Sequence, residues 1–150
     1  MLVVDIDGCI INNYHRKELI PALPHSAACW ERFNNACVND SPVLSVINLV
    51  KKLSPLHNNY IHFVTSRGQS SYEPTMQQLN EYFSDISFKL YMRPMGDNRH
   101  TVYYKRSVFA KMSLTENSII IDDHPKIIAM VESDFSYVKA ILVESHDCTV

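Results

Sequence analysis

The sequence has little glycine, no closely spaced cysteines, no long apolar run and no excess of one charge. Each absence excludes something. Glycine occurs three times in 150 residues, as Gly8, Gly68 and Gly96, and no G-x-x-x-x-G-K-[S/T] loop is present. That excludes a P-loop kinase. Cys9, Cys29, Cys37 and Cys148 are scattered, with no C-x-x-C pair. They read as free thiols of a reducing compartment, and as a poor basis for a zinc site. No apolar stretch approaches the ~20 residues that span a bilayer. Met1 is followed at once by Leu2-Val3-Val4-Asp5, without the basic and apolar regions of a signal peptide. A cytoplasmic protein with no membrane partner is expected. The net charge of −2 excludes a broadly basic protein that coats nucleic acid, so any polyanion would have to be met by a local patch.

What is present is globular composition, 46% apolar and 20% charged, at a length that fits one domain over residues 1–150. No repeat, low-complexity tract or linker divides it. Leu2 to Ile6 is a short β-branched apolar run ending in acid and glycine, a buried strand. His25 to Val38 reads as a helix. Ser41-Pro42 reads as N-cap and first turn of a second helix reaching about Leu53. Tyr60 to Val64 is a strand stopped by Thr65-Ser66-Arg67-Gly68. Further along, Pro74 to Phe83 is helical, Phe88 to Met92 a strand, Thr101 to Met112 helical and Ile119 to Ile121 a strand. Pro125 to about Phe135 is a helix and Tyr137 to Val143 the last strand. This alternation predicts an open α/β fold with a central parallel sheet covered on both faces.

Ligands of such folds sit beyond the carboxyl ends of the strands. Asp5, Asp7 and Gly8 follow the first strand, Thr65 and Arg67 the second. Arg93, Gly96 and Asp97 follow the third, and Asp122 and Asp123 the fourth. Carboxylates gathered from separate strands repel one another, and a divalent cation such as Mg²⁺ relieves that repulsion. Arginine and lysine around the cluster suit phosphate oxygens. The reaction class is phosphoryl transfer. Plainer readings stand beside this. Asp5-x-Asp7-Gly8 as a calcium loop fails, because Ile10 and Arg16 occupy the positions of the required glycine and glutamate. Asp122-Asp123 alone would serve as helix caps. Each arginine alone would read as a surface ion pair. His62 reads as structural. Trp30, Phe33 and Tyr82 read as core aromatics, with base stacking as the alternative.

The full set resembles the haloacid dehalogenase-like (HAD) phosphatase superfamily. Asp5-Ile6-Asp7-Gly8 looks like its first motif, Thr65 after Ile61-His62-Phe63-Val64 the second, Lys105 the third, and Ile120-Ile121-Asp122-Asp123 the fourth. Residues outside these motifs are similar to the 3′-phosphatase domains of bacteriophage polynucleotide kinase-phosphatases and their relatives. They are His15-Arg16, Ser66-Arg67-Gly68, and Arg93-x-x-Gly96-Asp97-x-Arg99 ahead of Lys105. Cys9 and Ser66 depart from that pattern, standing where threonine and glycine are usual. The kinase half is absent.

The resemblance implies a HAD-like Rossmannoid three-layer sandwich with a minimal helical cap, formed by residues 10–40. It implies a Mg²⁺-dependent phosphomonoesterase acting through an aspartyl-phosphate. Asp5 would be the nucleophile and Asp7 the general acid and base. Thr65 and Lys105 would steady the phosphoryl group. Asp5, the main-chain carbonyl of Asp7, and Asp122 would hold the metal, with Asp123 a further ligand or support. Arg16, Arg67 and Arg93 would meet substrate, and Asp97 would contact it or hold an arginine. The implied substrates are 3′-phosphorylated nucleic-acid ends, as in strand-break repair, and the implied origin is phage-like. A nucleotidase or small-molecule phosphatase is the alternative, and a catalytically silent binding module a third.

Overall fold

A computed structural model of the chain describes residues 1–24 and 26–149. The strands are β1 (Leu2–Val4), β2 (Ile11–Asn12), β3 (Ser41–Pro42), β4 (Tyr60–Gly68), β5 (Ser87–Arg93), β6 (Ile119–Asp122) and β7 (Lys139–Leu142). The helices are α1 (Glu31–Asn35), α2 (Leu44–Leu53), α3 (Tyr72–Tyr82), α4 (Thr101–Lys111) and α5 (Pro125–Asp134). Five strands form a parallel sheet in the order β5-β4-β1-β6-β7. The first of these strands along the sequence is therefore the middle strand of the sheet. Leu2 is registered against Ile61 on one side and Ile119 on the other.

The apolar pattern explains the layering. Successive strand residues face opposite sides of a sheet. Leu2, Val4, Ile61, Phe63 and Ile121 pack on one face with Val46, Ile47 and Val50 of α2 and Leu79 of α3. Val3, Val64 and Ile120 pack on the other with Phe109 of α4 and Ile127 and Val131 of α5. This is the expected three-layer α/β sandwich. Complete burial of such a side chain stabilises by about 1.5–3 kcal/mol, and all three β1 residues are at most 1% exposed. No helix of the described residues is long and apolar enough to cross a membrane.

Three expectations are corrected. The helix expected from His25 to Val38 is a broken series: a 3₁₀ turn at Ala27–Trp30, α1, and another at Ala36–Asn39, while His25 lies outside the described residues. The carbonyls of Phe33 and Cys37 accept from the side chains of Arg16 and Gln78. Asn34-Asn35 also favours the helix weakly. Ser41-Pro42 does not open a helix. It pairs antiparallel with Ile11-Asn12, and Val43 N–H donates to Ile10 carbonyl at 2.8 Å, so α2 begins at Leu44. Lastly, Thr65 to Gly68 do not stop the second strand. β4 runs through them, with a register shift against β5 between Val64 and Gly68.

Candidate active site

The carboxyl end of β1 turns sharply. Gly8 has φ +79, and a Cβ there would lie 2.4 Å from Asp123 Oδ2 and 2.6 Å from Asp147 Cβ. Only glycine meets both the left-handed backbone and the close approach. The N–H groups of Cys9, Ile10 and Ile11 all point at the Ile6 carbonyl, 3.1 to 3.3 Å away. This tight turn sends the side chains of Asp5 and Asp7 to different partners.

Asp5 joins Asp122 and Asp123 at the end of β6, with one oxygen of each within 4.8 Å of the others. Among the described residues Lys105 of α4 is the only cation at contact with them: Nζ lies 2.6 Å from Asp5 Oδ1 and 2.6 Å from Asp122 Oδ2. Burial pushes the Asp5 carboxyl well up, and Asp122 and Asp123 add to this against the pull of Lys105. Burial also raises Asp123, to about 6, although Ser145 donates a hydrogen bond to it. Lys105 is shifted upward, because the pull of Asp122 and Asp5 outweighs its own burial. Three buried carboxylates against one ammonium leave a site short of positive charge. Its oxygen donors suit a hard divalent cation. Asp5 Oδ2 and Asp123 Oδ1 have no hydrogen-bond partner among the described residues.

Asp7 stands outside this cluster. Its carboxylate accepts from Arg67 Nε at 2.8 Å and Nη2 at 3.0 Å, and from Arg16 Nη2. Burial would raise Asp7, but Arg67 and Arg16 outweigh it and hold it well below the usual carboxylate range. Both arginines are almost completely buried, which requires further acceptors. Asp40 supplies them, bonding Arg16 at Nε and Nη2, each at 2.9 Å, and Arg67 Nη2 at 3.4 Å. Thr75 and Gln78 of α3 complete Arg67 at 3.0 and 2.9 Å. His15, exposed, also bonds Asp40. The extension of β4 beyond Val64 carries Arg67 to this position.

Thr65 is fully buried, and its hydroxyl accepts from Arg67 N–H at 3.2 Å, leaving its own proton to donate. Ser66 Oγ is buried with no partner among the described residues. Arg93 turns to its own loop: it donates to the carbonyls of Ser66, Asp97 and Arg99, and its guanidinium lies 4.8 Å over the Tyr104 ring. Asp97 is bound to Arg99, and that contact holds its carboxyl down at about 2. Arg93 and Asp97 therefore organise the 94–101 loop at the rim. His124 caps α5 and His100 caps α4, while His62 lies on β4 beside Tyr91.

Four residues escape sequence reading. Asp40 lies between the 3₁₀ turn Ala36–Asn39 and β3, ahead of a strand and not at the end of one. Gln78 is one of many polar helix positions. Ser145 and Asp147 lie beyond the last strand, where the chain returns across the site. His146 N–H donates to Gly8 carbonyl at 2.9 Å, Ser145 reaches Asp123, and Asn13 bonds Asp147 at 2.9 Å.

Asp5, Asp7, Thr65, Arg67, Arg93, Asp97, Lys105, Asp122 and Asp123 all line one open cleft of about 570 Å³. Arg16 touches it through Asp7. No protein-family profile matches the chain. Over 131 residues, 86% of the chain, it is 28% identical to a protein of Autographa californica nuclear polyhedrosis virus named "Putative bifunctional polynucleotide kinase/RNA ligase". That stretch is 17% of the viral protein. Among solved structures, 97% of the chain superposes on 46% of a chain of the Pnkp1/Rnl/Hen1 complex, with a TM-score of 0.69 and 19% identity. A second structure, of the Pnkp1/Rnl/Hen1 RNA repair complex, matches 96% of this chain and 42% of that one, also at 0.69 and 19%. The chain is thus related to a viral polynucleotide kinase/RNA ligase and shares its fold with part of a repair-complex chain. It spans less than half the length of each.

Proposed function

We propose that the chain is a divalent-cation-dependent phosphomonoesterase that removes 3′-phosphate from polynucleotide ends, acting in nucleic-acid repair. One observation carries the chemistry. Two carboxylates two residues apart, Asp5 and Asp7, face one cleft in opposite electrostatic settings. Asp5 sits with Lys105 among acids, and Asp7 is clasped by two arginines. Separated environments are how paired acids take separate roles.

Asp5 attacks phosphorus. An Asp5 oxygen–phosphorus bond forms and the bond from phosphorus to the 3′-oxygen breaks. Asp7 gives a proton to that leaving oxygen. Water then attacks the phosphorus of the aspartyl-phosphate, Asp7 takes its proton, and inorganic phosphate and free Asp5 are released. The incoming phosphoryl group competes with Asp7 for the N–H groups of Arg16 and Arg67. As they turn to it, Asp7 recovers its affinity for a proton. Thr65 donates to a phosphoryl oxygen, and Lys105 balances charge on Asp5. Asp5, Asp122, Asp123 and the Asp7 carbonyl would hold Mg²⁺, whose charge screens the meeting of two anions. The relation to a named polynucleotide kinase/RNA ligase supports a nucleic-acid end as substrate.

The test is a panel of a 3′-phosphorylated oligonucleotide, 3′- and 5′-mononucleotides and a small phosphate ester, with Mg²⁺ or EDTA. Release of phosphate is expected to favour the oligonucleotide, to stop in EDTA and to fall at least a thousandfold in Asp5→Asn, on the order seen when a catalytic nucleophile is removed. Preference for 5′-mononucleotides would make the chain a nucleotidase. Unchanged turnover in Asp5→Asn would overturn the mechanism.

A further inference from the structure

One wall of the cleft is not used by the phosphoryl chemistry. Trp30 lines it with Pro24 and Ala27 of the flap segment, and Asn98, His100 and Thr101 line it from the segment that enters α4. Trp30 is tied to the reacting groups. Its ring meets Phe33 edge-to-face at 5.4 Å, Phe33 carries the Arg16 guanidinium 4.5 Å from its ring centre, and Arg16 bonds Asp7. Trp30 therefore stands two side chains from the Asp7 carboxylate, and the buried Arg16 and Phe33 fix that spacing. Its indole N–H has no hydrogen-bond partner among the described residues. The two segments are joined, because Ala27 N–H donates to Asn98 Oδ1 at 2.7 Å.

Beyond the phosphoryl group itself, charge gives an anionic substrate little further hold here. In the lining of the cleft, carboxylates outnumber guanidinium and ammonium groups. A contact that does not depend on charge is needed, and an aromatic face supplies one. We propose that Trp30 is a stacking shelf for the terminal nucleobase of the substrate. This rests on the phosphatase reading of the same site and adds the substrate class: a phosphorylated end that carries a base, in preference to a phosphorylated sugar. Every base has a π face, so the shelf is tolerant of sequence. Asn98 and His100 line the same cleft and would supply polar groups for the edge of the base.

Trp30 is the only tryptophan, so its fluorescence reports on the shelf directly. Asp5→Asn protein with Mg²⁺ is titrated with a nucleoside 3′-monophosphate, an abasic deoxyribose 3′-phosphate and inorganic phosphate. Saturable quenching by the first alone is expected. The same response to all three, or to none, overturns the shelf. In steady state, Trp30→Ala is expected to lower kcat/KM for a 3′-phosphorylated oligonucleotide, relative to glycerol 2-phosphate, by about tenfold. The change should lie in KM, and Trp30→Phe should restore most of it. Equal loss on both substrates in both variants assigns Trp30 a packing role and overturns the proposal. Quenching without hydrolysis of any substrate keeps the shelf and rejects the phosphatase reading. Hydrolysis without selective quenching does the reverse.

Discussion

Asp40 touches neither the carboxylate cluster nor the cleft, yet it holds both arginines that reach Asp7. Its removal leaves two buried guanidiniums short of acceptors. Asp40→Ala is expected to destabilise the fold by about 3–5 kcal/mol, the usual effect of breaking a buried ion pair, as read by urea unfolding. A second expectation concerns protons. The folded carboxyls of Asp5 and Asp123 are raised, the latter to about 6, against about 4 in the unfolded chain. Between those values the folded state binds more protons, so stability falls as pH rises through them and levels off above. Thermal melts in EDTA are expected to show this fall beginning near pH 4 and continuing through about pH 6, where Asp123 loses its proton. Mg²⁺ should oppose it, because a cation favours the ionised acids. A flat profile in EDTA would contradict the charge-starved site. At this scale the acids at strand ends were legible, since each follows a β-branched run. Asp40 was not, because its meaning comes from partners brought together only by folding.

The turn after β1 is the element most exposed to substitution. Gly8→Ala must place a methyl against Asp123 and Asp147 in a backbone conformation that disfavours it. A loss of about 1–3 kcal/mol is expected from the backbone alone. Displacement of Asp123 should also raise the Mg²⁺ concentration needed for half-maximal activity, which a metal titration reads. Stability lost with no change in that concentration would separate the turn from the proposed metal site. Legibility also differs by element. Strands buried on both faces announce themselves as unbroken apolar runs. The flap does not, because Arg16 and Gln78 capture backbone carbonyls that a longer helix would have used. Ser41-Pro42 carries a good helix-start signal, but pairing with Ile11-Asn12 prevails over it.

Across the whole molecule, the small net charge of −2 conceals acids and bases paired inside one cleft. A protein that follows the backbone of a strand through many phosphates loses about 10³–10⁵ in affinity between 50 and 200 mM salt. Here the loss in kcat/KM over that range is expected to stay within about tenfold, since few cations face the substrate. A steep salt dependence would reveal a basic track elsewhere on the surface. The alternation of strands and helices made the sandwich legible. The return of residues 145–148 across Gly8 and Asn13 was not, since nothing in Ser145-His146-Asp147-Cys148 marks a long-range contact.

The central position of β1 has a consequence for synthesis. Leu2 to Val4 are made before their partners, which lie in β4 on one side and in β6 on the other. Until those strands follow, the nascent chain carries an unpaired apolar segment, and contacts so distant in sequence form slowly. Asp5 waits with them, because Lys105 and Asp122 emerge late. The cluster of Asp5, Asp122 and Lys105 therefore assembles only once β6 has been made, and a chain interrupted before β6 is expected to be prone to aggregate.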